Sequence, residues 1–187
     1  MRGEITPDVL EACRRGDRDA FRLVYETYRD GVFSMALYFF RGDAATAADV
    51  TQQVFVKLME RIGRFQGQSE FSTWLHRLVT NTCIDRTRSP WRRAVMTDPL
   101  EFDARPVQPS QEAEIDHQDR ERAIQAALAT LTPKIRMAIV LRYFQDLSYA
   151  EMASVLNCSI GTVASRLSKG HALLGPRLAA FSRRDSQ

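Results

Sequence analysis

Apolar residues recur three and four apart along the first 88 residues, and the spacing predicts four helices. Thr6-Pro7 reads as an N-cap followed by proline at the first helical position, ahead of Val9, Leu10, Ala12 and Cys13. Gly16-Asp17 breaks that helix. A second helix carries Ala20, Phe21, Val24, Tyr25, Tyr28, Val32, Met35, Ala36 and Phe39, and Arg41-Gly42 ends it. Asp43 caps a third, whose stripe is Ala47, Val50, Val54, Leu58 and Ile62, with Asp49, Gln52, Gln53, Lys57 and Glu60 on the other side. A loop from Gly63 to Phe71 contains Gly67 and two aromatics of exposed type, Phe65 and Phe71. Ser72 is expected to cap a fourth helix running to about Arg88.

Periodicity then lapses. Residues 89–115 hold Pro90, Pro99, Pro106 and Pro109, four of the chain's seven prolines, no glycine and a net charge of −2. This is expected to be an extended linker. Helical spacing resumes over 116–180. Ile124, Ala127, Leu128 and Leu131 form one stripe. Thr132-Pro133 caps the next helix, and Asp146-Leu147-Ser148 leads into two short ones. No segment alternates with the period of a strand. The expectation is an all-α fold of two small helical domains, 6–88 and 116–180, joined by the proline-rich linker 89–115.

With 187 residues and 44% apolar content the chain is long enough for one or two packed domains. The apolar run from Val32 to Phe40 is far short of the ~20 residues of a membrane span. No signal-peptide run follows Met1, so a cytoplasmic protein without membrane insertion is expected. Cys13, Cys83 and Cys158 are odd in number and far apart, and His76, His117 and His171 are equally scattered. That pattern supports neither a disulfide framework nor a metal site. There is no nucleophile–base pair, phosphate loop or cofactor motif, so neither an enzyme nor a bound cofactor is expected. Of 26 basic residues only Lys57, Lys134 and Lys169 are lysine. Arginine is the residue of forked phosphate and base recognition, although genomic base composition alone also yields such a bias.

Position favours recognition at one place. Tyr149 to Ser168 has the pattern of a helix-turn-helix. Ala153 is small where two helices must approach. Asn157 sits where a left-handed turn residue is wanted. Met152, Leu156, Ile160, Val163 and Leu167 supply the apolar contacts. Thr162, Ser165, Arg166 and Lys169 then share an outward face suited to phosphates and base edges in a major groove, with Tyr149 and Ser159 at the two helix starts. From Ser159 to Arg184 there are five basic residues and no acid. Cys158 reads as a small residue of the turn core.

The order of motifs resembles the sigma-70 superfamily of RNA polymerase sigma factors, in its short extracytoplasmic-function (ECF) group. Asp49-Val-Thr-Gln-Gln-Val-Phe55 resembles that family's D-L-V-Q-E-V-F. Arg64-Phe-Gln-Gly with Phe71-Ser-Thr-Trp-Leu-His-Arg-Leu78 resembles R-F-R-G…F-x-T-W-L-x-R-I, followed by Asn81-Thr82. Leu131 to Arg142, Leu147 to Ala153 and Ile160 to Leu167 resemble L-P-x-x-x-R-x-x-x-x-L-R, L-S-Y-x-E-I-A and V-G-T-V-x-S-R-L. Two positions depart: Gln53 stands where Glu is usual, and Ala164 where Lys or Arg is common.

The resemblance implies a factor that binds core RNA polymerase, directs it to promoters and melts DNA, commonly under an anti-sigma factor. It assigns Asp49, Gln52, Gln53, Phe55 and Lys57 to the clamp helices of the polymerase's largest subunit, with a further contact to the flap. It assigns Phe65, Phe71, Trp74 and Asn81 to capture of flipped −10 bases, and Arg77, Arg86, Arg88, Arg92 and Arg93 to the strand backbone. Unstacking costs a few kcal/mol per base, which aromatic faces offset; Asn81 is a poor helix former and so wants a reason to be mid-helix. The second domain is assigned the −35 element through Tyr149, Ser159, Thr162, Ser165, Arg166 and Lys169. Element centres about 25 base pairs apart lie ~85 Å apart, near the ~90 Å limit of a 27-residue linker. The competing readings are a stand-alone helix-turn-helix regulator, which would need an α/β receiver, and a helical adaptor with DNA binding lost.

Overall fold

In the computed structural model, residues 5–88 and 111–182 are described; most of the expected linker, 89–110, and residue Arg183 onward lie outside them. The described residues form α-helices and one 3-10 turn, with no strand among them. In the first domain these are α1 (Pro7–Arg14), α2 (Arg18–Phe39), α3 (Ala44–Arg61), a 3-10 turn at Ile62–Arg64 and α4 (Phe71–Arg88). In the second they are α5 (Gln111–Ala129), α6 (Pro133–Tyr143), α7 (Tyr149–Leu156) and α8 (Ile160–Ser182).

The helix boundaries follow local chemistry. Asp17 accepts from the Asp19 and Ala20 amides at the start of α2, and Asp43 accepts from the Thr46 amide at the start of α3. Arg41 and Gly42 turn left-handed, with φ of 61° and 82°, and the Gly42 amide reaches back to Leu37. Ser72 does not cap α4. The Trp74 amide bonds the Glu70 carbonyl at 3.1 Å, so the first turn closes two residues earlier, around the buried Phe71 ring. Helix α5 begins at Gln111, within the stretch expected as linker. The second helix of the helix-turn-helix is not short: α8 runs 23 residues and passes through Pro176.

The first domain closes α2, α3 and α4 over Val24, Tyr28, Val32, Met35, Phe39, Val50, Val54, Leu58, Leu75 and Val79, all almost fully buried. Helix α1 covers one end with Leu10 and Cys13. The second domain packs α8 across α5, α6 and α7, burying Leu128, Met137, Leu141, Met152, Val163 and Leu167. The two cores are continuous: Tyr38 of α2 stacks on Phe144 with ring centroids 3.7 Å apart.

Gly170 permits a close helix approach. A β-carbon there would lie 2.8 Å from Ile139 Cδ1 and 2.9 Å from its Cγ1, so α6 and α8 meet only because Gly170 has no side chain. Alanine gains about 1 kcal/mol over glycine inside a helix, but overpacking costs about 1–3 kcal/mol. Gly170→Ala is therefore expected to lower the urea midpoint. In an Ile139→Ala background, where both Cδ1 and Cγ1 are gone, the same change should cost much less or stabilise. A loss of the same size in both backgrounds would mean that Ile139 is not the obstacle.

Candidate nucleic-acid interface

Three surfaces carry the residues singled out by sequence. The first is the outer face of α3. Asp49, Gln52 and Gln53 are exposed and, with Val56, Lys57 and Glu60, line an open concavity of about 560 Å³. Phe55 faces inward, buried edge-on against Tyr25 with centroids 4.8 Å apart. It supports the face and does not form it. Lys57 is half-buried and donates to Thr82 Oγ1 of α4 at 3.2 Å. Asp49 pairs with Arg86 of α4 at 2.8 Å. Sequence reading missed the apolar side chains that α3 itself exposes beside this polar patch: Val56 and Met59 are 55% and 58% exposed. Val56 and Met59 fall off the Val50–Val54–Leu58 stripe, so their outward position was readable.

The second surface is α4 with the loop before it. Phe65 and Phe71 are each 7% exposed, contrary to their reading as exposed loop aromatics. With Trp74 they form a triangle of rings with centroids 5.5–5.8 Å apart, and Phe71 also meets Tyr28. Burying three rings together shields far more apolar surface than leaving two in solvent, so the loop folds inward. Arg14 of α1 holds the loop from behind: it donates to the Phe65 carbonyl and lies 5.9 Å over the Phe65 ring. Only Trp74 keeps a half-exposed edge, while Asn81 and Arg88 are exposed and Arg86 is turned toward Asp49. Cys83 is fully buried, and burial drives its thiol far above the ordinary range.

The third surface is the helix-turn-helix. Ser148 and Glu151 form a reciprocal capping box at the start of α7, next to exposed Tyr149. Asn157 is left-handed, with φ 47° and ψ 55°, as the turn demands. Ser159 Oγ accepts the Thr162 amide at 3.2 Å and opens α8. Ser165 and Lys169 are exposed; Thr162 and Arg166 are half-exposed. Two core expectations shift. Ile160 is 54% exposed, because it sits at the free start of α8, and Val155 takes its place in the core.

The second and third surfaces are not separate. Arg77 of α4 donates from Nε to the Ser154 carbonyl at 2.8 Å and from Nη2 to Ser154 Oγ at 2.6 Å. A cleft of about 670 Å³ opens beside this contact, lined by Asn81 and Arg88 of α4 and by Asn157 and Arg166 of the helix-turn-helix. On the far side of the second domain is an apolar groove of about 370 Å³. Tyr143, Phe144, Leu174 and Leu178 border it, and Tyr143 is 60% exposed. Among the described residues no group of three or more histidine, cysteine or acidic side chains could hold a metal, and no helix is long and apolar enough to cross a membrane.

Residues 24–93 match the family model for sigma-70 region 2, and residues 121–174 that for sigma-70 region 4. The RNA polymerase sigma-H factor of Pseudomonas aeruginosa is 33% identical over 167 residues, covering 85% of this chain and 86% of that protein. The ECF RNA polymerase sigma-E factor of Haemophilus influenzae is 31% identical over 185 residues, covering 93% and 96%. Among solved structures, CnrH in complex with the cytosolic domain of CnrY superposes with a TM-score of 0.68 at 21% identity, covering 92% of this chain and 96% of that one. RpoE of Bartonella quintana in complex with the anti-sigma factor NepR gives 0.64 at 24% identity, covering 85% and 96%.

His76, at the junction of the domains, gives a pH test. It is 3% exposed, its Nε2 lies 3.5 Å from Gln145 Oε1, and burial lowers its pKa to about 4. In the unfolded chain it titrates near 6.5. As pH falls below 6.5 the unfolded chain binds the proton first, so stability is lost between about pH 6.5 and 4. The loss is at most about 3 kcal/mol at 1.36 kcal/mol per pKa unit. His76→Gln carries no proton in that window, so urea unfolding at pH 7 and pH 4.5 should show a shallower pH slope. A slope equal to the parent's would assign the loss to other groups.

Proposed function

The chain belongs to the sigma-70 family, in its extracytoplasmic-function group, and on that premise we propose that it binds core RNA polymerase, recognises −10 and −35 promoter elements and melts DNA to start transcription. The observation that carries this reading is the pairing, in one chain, of a helix-turn-helix bearing outward Ser165 and Lys169 with a second helix, α4, bearing outward Asn81 and Arg88.

Each surface has a physical role. The α3 face presents Asp49, Gln52 and Gln53 within an apolar surround. That combination suits the basic clamp helices of the polymerase's largest subunit. Gln53 removes one charge from it, which weakens steering more than contact. The apolar groove at Tyr143, Leu174 and Leu178 suits an apolar helix, and the flap is its assigned partner. Capture of a flipped −10 base falls to Asn81 and the half-exposed Trp74. Phe65 and Phe71 act from beneath, as the packing that fixes Trp74. Arg77, Arg86 and Arg88 hold the strand backbone. On the −35 duplex, Thr162, Ser165 and Arg166 face base edges, and Lys169 a phosphate, with Tyr149 and Ser159 at the groove margin. Ala164 leaves one phosphate contact fewer than a lysine or arginine there would give.

The factor works in the cytoplasm, without a cofactor or catalytic group of its own; bond formation belongs to the polymerase. Two of its structural neighbours are seen in complex with partner proteins, one of them an anti-sigma factor. Control by an anti-sigma protein is the corresponding proposal here.

The direct test is binding of the purified chain to core polymerase, followed by run-off transcription from genomic fragments. Discrete start sites with a shared upstream sequence are expected; a folded protein that leaves core polymerase unbound would overturn the reading. Two variants resolve the parts. Asn81→Ala should slow promoter opening several-fold while leaving closed-complex affinity nearly intact, and equal loss of both steps would remove its role in base capture. Lys169→Ala should weaken −35 duplex binding and lower the salt slope by about one unit. An unchanged slope would take Lys169 off the phosphates.

A further inference from the structure

The cleft beside Arg77 holds more positive charge than its own acid answers. Arg77, Arg88, Lys134 and Arg166 line it against a single carboxylate, Asp85, an excess of three charges. Arg77 spends Nε and Nη2 on Ser154, and the Arg166 guanidinium meets the Cys158 sulfur, a weak acceptor, at 3.8 Å. On the α4 wall of the cleft Thr80 is 2% exposed, and its hydroxyl has no hydrogen-bond partner among the described residues. A buried hydroxyl left unpaired is costly and calls for a reason. Neither Lys134, on α6, nor Thr80 belongs to the residues assigned to DNA.

We propose that this cleft is a binding site for a nucleoside triphosphate. Its cations take the phosphates, with Lys134 and Arg88 as the chief contacts, and the Thr80 hydroxyl supplies a buried donor. The volume of about 670 Å³ is more than a lone phosphate fills and falls within the about 300–1,000 Å³ of small-molecule sites. The walls are not polar throughout: half-buried Ile84 and Leu156 offer a base an apolar surface, and the exposed amides of Asn81 and Asn157 can pair with its edge. With one carboxylate present, the cleft suits a triphosphate without a metal ion, because its own cations balance the charge.

Isothermal titration of the purified full chain with ATP tests this, at about 0.15 M salt to screen loose surface attraction and with no magnesium. One site per chain with micromolar affinity is expected. Lys134→Gln should weaken binding about tenfold or more. Thr80→Val keeps the side-chain shape and should weaken it several-fold, while the melting temperature of the ligand-free protein holds or rises because an unpaired hydroxyl is gone. Arg177→Gln removes the same charge from an exposed position of α8 outside the cleft and should bind as the parent does. Inorganic tripolyphosphate, which has no base, should bind several-fold more weakly than ATP. Circular dichroism checks that each variant keeps its helix content.

No saturable binding of ATP to the parent overturns the site. Equal losses in Lys134→Gln and Arg177→Gln trace binding to net charge and overturn it as well. Parent affinity in Thr80→Val takes the unpaired hydroxyl out of the site and overturns the reading built on it. Tripolyphosphate bound as tightly as ATP overturns the nucleoside. Neither DNA nor polymerase is present in these titrations, so the promoter reading stands or falls apart from them.

Discussion

Arg136 holds together the points where the chain turns back on itself. Its guanidinium is 3% exposed and donates to the carbonyls of Leu128, Ala129 and Leu131, where α5 ends. It also donates across the domain boundary to the Phe39 carbonyl, at the last turn of α2. Helix C-termini leave carbonyls without partners and carry partial negative charge. One planar five-donor group serves two of them at once, a geometry lysine does not have. Burial lowers the Arg136 pKa to about 10, with Arg41 adding to the effect, so the group stays charged at neutral pH. Loss of such a group would leave several buried acceptors unmet at about 1–3 kcal/mol each.

The rest of the arrangement follows from that knot. With α2 and α6 pinned together, Tyr38 meets Phe144 and α4 is brought alongside α7. Arg77 then reaches Ser154. The consequence is that α4 and the helix-turn-helix share a cleft and that α4 is tied on both sides. On one side Arg77 grips α7; on the other Arg86 pairs with Asp49 of the polymerase-type face. Through α4, the contact with Ser154 and the pair with Asp49 are physically linked. The exposed Val56 and Met59 of α3 and the groove by Tyr143 lie outside this contact.

Much of this is legible in the sequence. Helix type and most boundaries followed from spacing and caps, because Asp17, Asp43, Ser148 and Asn157 act on their own neighbours. The helix-turn-helix was legible for the same reason: its small residue, turn residue and core positions are all local. What was not legible depends on distant partners. Nothing near Phe65 or Phe71 indicates that the loop folds inward onto Trp74 and Tyr28, since that outcome is set by α2 and by Arg14 of α1. Gln111 reads as linker because the following residues lack a periodic stripe, yet α5 begins there. Arg77 looks like a backbone-binding arginine, and no sequence signal gives Ser154 as its partner 77 positions on.

The central claim is that one chain reads two promoter elements with domains that must part to do so. The most direct measurement is the distance between spin labels on Glu26→Cys in α2 and Ala172→Cys in α8, both exposed sites. Cys158 would be changed to Ser, and the buried Cys13 and Cys83 left in place. One short, narrow distance is expected in the free protein. It should lengthen by some tens of ångströms once the protein and core polymerase are assembled on a promoter fragment with separated elements ~85 Å apart. The same distance in both states, with transcription intact, would contradict the account.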